Sequence, residues 1–588
     1  MGDLLRIDLT TRTTSEETIP PELIRGYIGA KGLGTHYLLN EVGSEVDPLG
    51  PQNKLIFATG PLSGTRMMGA NRYAVYFASP LTGGYGECYS GGNLTPQFAA
   101  TGYRLVVVEG AADGPVFLEI SDEGARIHPA GDVWGLDAYE AEERLLAKVE
   151  APKKKVCAIG PAGENLVRFA CINNERWHHL ARGGPGTVMG SKRVKGIVWH
   201  GTRKPSVARP EEFDALCRDM IDRGKDDPGV AAYKRGGTVN MVRILNGAST
   251  FPTRYWQRAS AEYFEGLTTE HMLETTFVKN QVCPPCMLQC VKRNVVKEGP
   301  LAGLEIDGPE YETIYVFGGL CEIRDWTQVM RMNDICDRLG MDTMSAGNLA
   351  ALAIEACQQG RLGIGLEYGD ADGVAEFLEM MARRKGVGDL FAEGILAVEK
   401  ELGLEGVAVH VKGMEPAGYD ARKLKGMGLS FVTAARGACH LRSTFYKAEL
   451  AGLSDPAELD GKAAMLVDWE DRLCIMDTLI YCRFYRDLVQ WPYLTAVVNA
   501  AVGTDYSEEE LRAVAARIIA ETHRFNELRG FGAERERLPA WITERPVAAQ
   551  DGSELRVSQD EMERLRRDYY AERGWDYENS ATPESTGA

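Results

Sequence analysis

Cys283-Pro-Pro-Cys286-Met-Leu-Gln-Cys290 places three thiols on one tight segment, and what they hold decides how the rest of the chain is read. A Cys-x2-Cys-x3-Cys run supplies three ligands to an iron–sulfur cube, whose fourth can come from any part of the chain that the fold brings near. The candidate fourth is Cys482, far downstream. Structural zinc is the competing reading, but it usually takes two pairs, Cys-x2-Cys with either a second such pair or His-x3-5-His. No second pair of that kind occurs here. Electron transfer is the expected business of the protein.

The bulk properties agree with an enzyme that encloses a cofactor. A length of 588 residues corresponds to three or four domains at about 150 residues each. With 44% hydrophobic and 26% charged residues, the composition is that of a soluble globular protein. A net charge of −18 argues against nucleic acid or an anionic membrane as the main partner. Thirteen cysteines, an odd number set mostly singly in apolar stretches, do not form a secreted disulfide framework. The start, Met1-Gly-Asp-Leu-Leu-Arg6, has no basic segment followed by an apolar run, and Arg6 spoils a myristoylation signal. No apolar run approaches 18 residues, so no membrane span is expected and the cytoplasm is the default location.

Two textures divide the chain. Up to about residue 205, short β-rich runs alternate with glycine turns: Leu55–Phe57, Tyr73–Ala78, Leu105–Val108, Val116–Ile120, Val156–Ile159, Arg168–Ile172 and Ile197–Trp199. Gly201 to Pro210 is polar and proline-containing, as a domain junction would be. Beyond it, helical spacing of apolar residues marks Glu211–Arg223, Trp326–Leu339, Ala346–Gln358, Gly373–Arg384, Asp389–Leu402, Met465–Tyr481, Glu508–Asn526 and Asp560–Arg573. The last stretch, Asn579–Ala588, is small and polar and is expected to fray. The fold class is therefore α+β. One echo stands out: Asp337-Arg-Leu-Gly340-Met-Asp342 and Asp477-Thr-Leu-Ile-Tyr-Cys482 both end an apolar-periodic helix with polar or ligating groups five residues apart. Gly340 suits a left-handed helix cap.

Further candidates are polar residues in unusual company. Arg182-Gly183-Gly184-Pro-Gly-Thr-Val-Met-Gly-Ser-Lys192 is glycine-rich but not a Walker loop, which ends Gly-Lys-Ser/Thr; its amides and Arg182 could still cradle an anion. Arg72 follows Gly69-Ala-Asn and has the same two readings. Glu310 and Glu312 stand at a helix start, where they could compensate the helix dipole or, if buried, act as a base. His440 lies in Arg436-Gly-Ala-Cys-His-Leu-Arg442, as a packed histidine or a proton carrier. His178-His179 reads as scaffold or surface. Cys321 reads most simply as a small buried residue, with a thiolate near a metal as the alternative. Cys88, Cys439, Cys474 and the other single cysteines read as packing.

Taken together, these segments resemble the tungsten-dependent aldehyde:ferredoxin oxidoreductase family over nearly the whole chain. Gly29-Ala-Lys-Gly-Leu-Gly34, Gly60-Pro-Leu-Ser-Gly64 and Ser79-Pro-Leu-Thr-Gly83 match, as does the Arg182–Lys192 segment. The cysteine triplet, Gly308-Pro-Glu-Tyr-Glu-Thr313, both Asp-x4 segments and Arg436–Arg442 complete the set, in order. The resemblance implies a tungsten or molybdenum bis-pterin with a 4Fe–4S cluster beside it. A β-rich domain (1–205) would form the base under the pterins. Two mainly helical domains would follow, 206–420 with the triplet and first Asp-x4 segment, and 421–588 with the histidine and the second. It implies cluster ligands Cys283, Cys286, Cys290 and Cys482, favouring Cys482 over Cys474. Pterin contacts would come from Asp337, Gly340, Asp342, Arg442 and Asp477. Arg72, Arg182, Gly183 and Gly184 would lie near the phosphates, which commonly share a Mg2+ ion.

The resemblance further implies oxidation of an aldehyde to its acid, with Glu312 (Glu310 as second choice) as base for the attacking water and His440 hydrogen-bonding the carbonyl. Electrons would pass to ferredoxin or an iron–sulfur partner subunit, and the enzyme could be an oligomer. Two alternatives stay open. One is an aromatic acyl-CoA reductase catalytic subunit with Cys321 on tungsten, although Thr250–Trp256 lacks a convincing Glu/His pair. The other is a non-catalytic, cluster-bearing electron-transfer subunit. Members often carry Asn where Tyr89 stands, and the helix segment Val329–Asp334 lacks the Glu-x-x-His of members that bridge subunits with a metal.

Overall fold

Alternation at Tyr73-Ala-Val-Tyr-Phe-Ala78 gives this strand two apolar faces. A computed structural model of the chain describes residues 3–577 and uses both. Tyr73, Val75 and Phe77 pack with Leu118, Ile120, Ile197 and Trp199 in a core between two sheets. Ala74, Tyr76 and Ala78 join the larger core shared with the helices.

The two sheets are built to one plan. The first runs Thr13–Glu17, Leu4–Asp8, Leu105–Glu109, Leu55–Ala58, Tyr73–Ala78, Tyr85–Ser90 across its width. The second runs Gly124–Pro129, Val116–Ser121, Val194–Trp199, Lys155–Ala158, Ile172–Asn174, His178–Leu180. In each, only the second and third strands pair in parallel. Chain order repeats as well: a hairpin, a helix (Ala30–Glu41; Ala138–Lys148), a three-strand meander, a helix (Leu94–Thr101; Pro185–Ser191), and a last strand returning beside the first.

The helical echo is seated on this duplication. Trp326–Leu339 ends at Gly340 (φ 78°, ψ 47°) and Lys462–Leu479 at Ile480 (φ 65°, ψ 35°), both left-handed. Two residues on, Asp342 and Cys482 are extended, and their N–H groups donate to Phe169 O at 3.1 Å and Gly69 O at 2.8 Å. A Cβ on Gly160 would lie 2.4 Å from the Leu339 carbonyl carbon, and one on Gly60 2.6 Å from that of Leu479. Each sheet thus holds one helix end against a Gly-Pro turn where nothing larger than glycine fits.

The sequence expectations meet three corrections. Asp389–Leu402 is not one helix but two, Gly388–Ala392 and Ile395–Leu402, parted by Gly394 at φ 87°. Arg168–Ile172 is not a strand; the ladder is Ile172–Asn174, with an isolated bridge from Ala170 to Met341. A third sheet, Phe277–Gln281, Val291–Val295 and Glu305–Asp307, carries the cysteine segment in its first hairpin loop. Its strands are short and polar, so they lack the apolar alternation that marks a strand. No described helix is long and apolar enough to cross a membrane. The expected fraying of Asn579–Ala588 lies outside the described residues.

Candidate active site

The cysteine hairpin is clamped from both sides. Asn71 Nδ2 donates to Cys283 O, and the Gly69 N–H donates to Pro285 O at 3.0 Å. The Met287 N–H donates to the Tyr485 hydroxyl at 3.0 Å. Cys482 follows the helix end seated on Gly69, which brings its thiol into electrostatic contact with Cys283, Cys286 and Cys290. Desolvation pushes the Cys283 thiol up to about 12 and raises Cys286 and Cys290 as well. A metal bound here would therefore have to displace protons. Desolvation opposes the Arg72 cation, but Cys482, Cys283 and Cys290 more than offset it. The Gly92 N–H points at Cys283 Sγ (3.2 Å) and the Tyr485 hydroxyl at Cys286 Sγ (3.4 Å). Four thiols with sulfur-directed donors and a balancing cation suit an iron–sulfur cluster. Among the described residues, no three His, Cys, Asp or Glu side chains close on the spacing of a single metal ion.

Arg72 also lines two adjoining cavities. The inner one, about 180 Å³, is walled by Arg72, Arg182, Arg436, Arg442, Arg483 and Asp477. Asp477 accepts from Arg442 at 3.0 Å and from Arg483. Glu87, beneath, accepts from Arg442 and Lys31. Yet Arg442 Nε and Nη2 and Arg436 Nε have no hydrogen-bond partner among the described residues. Buried guanidinium hydrogens are rarely left unpaired, so this wall fits an anionic group such as a phosphate. Arg182 is differently placed: it is spent on Asp342 (3.2 Å), Ala438 O and Glu415 O.

The outer cavity, about 440 Å³, is lined by the aromatic rings of Tyr233, Tyr311, Tyr419, Tyr446 and Phe484 together with aliphatic side chains such as Met241, Ile244 and Leu450. Glu312 and His440 face each other in it, Oε1 to Nε2 at 3.5 Å. Glu312 sits in the first turn of Tyr311–Ile314, with Oε2 accepting from the Gly418 N–H at 3.0 Å while Oε1 has no hydrogen-bond partner among the described residues. Desolvation pushes the Glu312 carboxyl up to about 8, against the Gly418 bond and Arg182. Desolvation also drives His440 well below its ordinary value, helped by Arg436, Arg182, Arg442 and Arg483. Near neutrality the carboxyl holds a proton and the imidazole is neutral. Such divergent neighbours are what acid–base chemistry requires. Glu310 also lines the cavity but turns toward Thr238, which donates to it, and toward Cys290 and Lys292; desolvation raises it.

Geometry thus gathers Arg72, Arg182, Arg442 and Asp477 around the inner cavity and Glu310, Glu312 and His440 around the outer one. Asp337, Gly340, Asp342, Gly183 and Gly184 line neither. Asp342 holds Arg182 and caps the helix Thr343–Gln358, and Asp337 lies 3.2 Å from His179 Nε2. Gly183 and Gly184 (φ 83° and 86°) form the turn that follows Arg182. Several residues read as scaffold or packing belong to the site. His179 lines the inner cavity, with desolvation pushing it down to about 3, and His178 Nε2 is 3.8 Å from Cys283 Sγ. Cys88 lines the inner cavity too. Cys439 accepts from Arg436 at 2.9 Å, and although desolvation opposes its thiolate, Arg436 and Arg442 bring it down to about 7. Arg436, Arg483, Glu87 and Lys31 were missed; the arginines' adjacency to Cys439 and Cys482 was the available signal. Cys321 lines neither cavity and is packed, its Sγ 3.6 Å from Gly347 O.

Comparison with known proteins converges on one family. Residues 4–201 match the family model of the aldehyde ferredoxin oxidoreductase N-terminal domain, and 215–586 that of domains 2 and 3. Tungsten-containing aldehyde ferredoxin oxidoreductases of Pyrococcus furiosus and Pyrococcus horikoshii are 33% and 35% identical, over 98% of this chain and 96% of theirs. The aliphatic sulfonate oxidoreductase WOR-like subunit of Pyrococcus furiosus is 29% identical over 72% of this chain and 71% of its own. The solved active-site complex BamBC of benzoyl coenzyme A reductase, with 1,5-dienoyl-CoA, shares the fold at TM-score 0.85 and 22% identity, covering 99% of this chain and 95% of that one. The chain belongs to the aldehyde ferredoxin oxidoreductase family of oxidoreductases.

Proposed function

We propose that this protein interconverts an aldehyde and its carboxylic acid at a tungsten bis-pterin, acting in the cytoplasm. A 4Fe–4S cluster on Cys283, Cys286, Cys290 and Cys482 would relay electrons to ferredoxin or an iron–sulfur partner subunit. The observation that carries the reading is the Glu312–His440 pair, 3.5 Å apart in the outer cavity and separated by Arg72 and Arg483 from the arginine-walled inner one. The names of its relatives support the metal and the substrate class.

Arg442, Arg436 and Arg72 would hold the pterin phosphates, with Mg2+ between phosphates that otherwise repel. When bound, the tungsten centre supplies two-electron acceptance and carbonyl polarisation, and the cluster converts this to single-electron transfers. The chain's own residues do the rest. The aromatic walls exclude bulk water and orient the substrate. Glu312 Oε1, which has no hydrogen-bond partner among the described residues, takes the proton of the water that adds to the carbonyl. His440, neutral, donates a hydrogen bond to the carbonyl oxygen. Glu310, engaged by Thr238, is the weaker choice for base.

Replacement tests this directly. Glu312→Gln and His440→Asn should each lower aldehyde oxidation by roughly 10²–10⁴-fold while tungsten and iron contents stay normal. Full activity in both variants would refute the assignment, and zinc in place of iron would end the cluster reading. A CoA-thioester assay run beside an aldehyde panel separates the acyl-CoA reductase alternative. Cys321, which that alternative would place on tungsten, is packed away from both cavities.

A further inference from the structure

The redox reading above leaves open where electrons leave the protein, and the surface over the cysteine hairpin bears on it. Val278 and Val282 flank the cysteine loop yet are 51% and 41% exposed. Ile221, 44% exposed, lies one turn before Gly224, where a Cβ would sit 2.1 Å from Met287 Sδ; this helix end abuts the same loop. Cys283 and Cys286 are only half-buried beneath, whereas Cys482 is buried. Large apolar side chains gathered over a redox centre are unusual on a free surface.

The charge at this place runs against that of the chain. From Lys279 to Lys297 there are four cations and no carboxylate, in a protein of net charge −18. Lys292 is buried, and Arg293 is paired with Asp307 and Glu305. Lys225 is offset by its neighbours Asp222 and Asp226, and Arg235 by Glu270 at 3.1 Å. Lys234 and Lys279 are exposed and have no ion pair among the described residues. They adjoin each other, since Asn280 Nδ2 donates to Lys234 O at 3.0 Å.

We propose that this face docks a small acidic iron–sulfur carrier protein. Carboxylates of the carrier would meet Lys234 and Lys279, and its apolar rim would cover Val278 and Val282. Each docking transfers one electron from the reduced cluster to the oxidised carrier. One aldehyde and one water therefore yield one acid, two protons released to solvent and two reduced carriers.

The test uses the holoenzyme with saturating aldehyde and two acceptors: an acidic bacterial two-cluster ferredoxin, and benzyl viologen, which is too small to need the patch. Lys234→Glu with Lys279→Glu should raise the KM for ferredoxin about tenfold and flatten the ionic-strength dependence of kcat/KM, because charge at a rim acts mainly on encounter. The viologen rate should not change. Val278→Asp should likewise raise the ferredoxin KM alone. Unchanged ferredoxin kinetics in these variants would overturn the docking face while leaving the redox reading intact. If the charge reversals also lower the viologen rate, the milder Lys234→Gln with Lys279→Gln decides by the same criterion. Failure of the unaltered enzyme to reduce either acceptor would overturn both.

Discussion

Glu312 and His440 line the same cavity, yet their proton affinities move in opposite directions. Desolvation disfavours whichever form is charged, so it raises a carboxyl and depresses an imidazole; the surrounding arginines push His440 further the same way. The proton that matters therefore sits on Glu312, at about 8. In the proposed reaction oxidation needs the carboxylate, whose fraction grows as pH rises through that value, so kcat/KM for aldehyde should climb to a plateau above about pH 8. Acid reduction needs the protonated form and should fall over the same interval. Glu312→Gln should abolish the limb; a limb unchanged in that variant would assign it to another group. Both residues stood out in the sequence, as a carboxylate entering an apolar run and a histidine between glycine and arginine, but bland roles stayed open there and only the family resemblance implied acid–base roles. Arg483 carried only its place beside Cys482, and His179 and Glu87 carried no signal, since they become neighbours only when the sheets meet the helix ends.

Two helix ends, each closed by a left-handed residue against a Gly-Pro turn, carry Asp342 and Cys482 into place. At Gly340 an alanine would suffer twice. The left-handed conformation costs a residue with a Cβ about 1–2 kcal/mol, and that Cβ would stand 2.7 Å from the Gly160 backbone nitrogen. Gly83 shares the dihedral (φ 81°) but has open space around it. Gly340→Ala should therefore lower the apparent melting temperature more than Gly83→Ala does, and equal shifts would show that the seat is not tight. The helix at Trp326–Leu339 was readable to the residue, because its apolar spacing, acidic cap and terminal glycine agree. Strands such as Thr13-Thr-Ser-Glu-Glu17 were not, because register with Leu4–Asp8 rather than their own polar residues makes them strands. The Gly394 break inside Asp389–Leu402 hid for the opposite reason: the apolar rhythm runs on across it.

At the scale of the molecule, two alike sheets seat two alike helix ends, but one end presents Asp342 and the other Cys482. The backbones there nearly coincide (φ −63°, ψ 116° against φ −68°, ψ 128°). Asp342 finds a guanidinium, Arg182 at 3.2 Å, and Cys482 has one beside it in Arg72. The duplication thus supplies its own experiment, since Cys482→Asp installs at one end what the other already tolerates. A buried carboxylate with a cation partner avoids the penalty of an unpaired charge, so the fold should survive, with circular dichroism unchanged. On the proposed reading a cluster would lose one of four thiolates, and iron should fall well below the unaltered protein's content while the inner cavity, walled by other residues, still retains tungsten. Loss of iron and tungsten together with loss of secondary structure would mean that Cys482 holds the two halves together rather than one cluster. Full retention of iron would remove Cys482 from the ligand set.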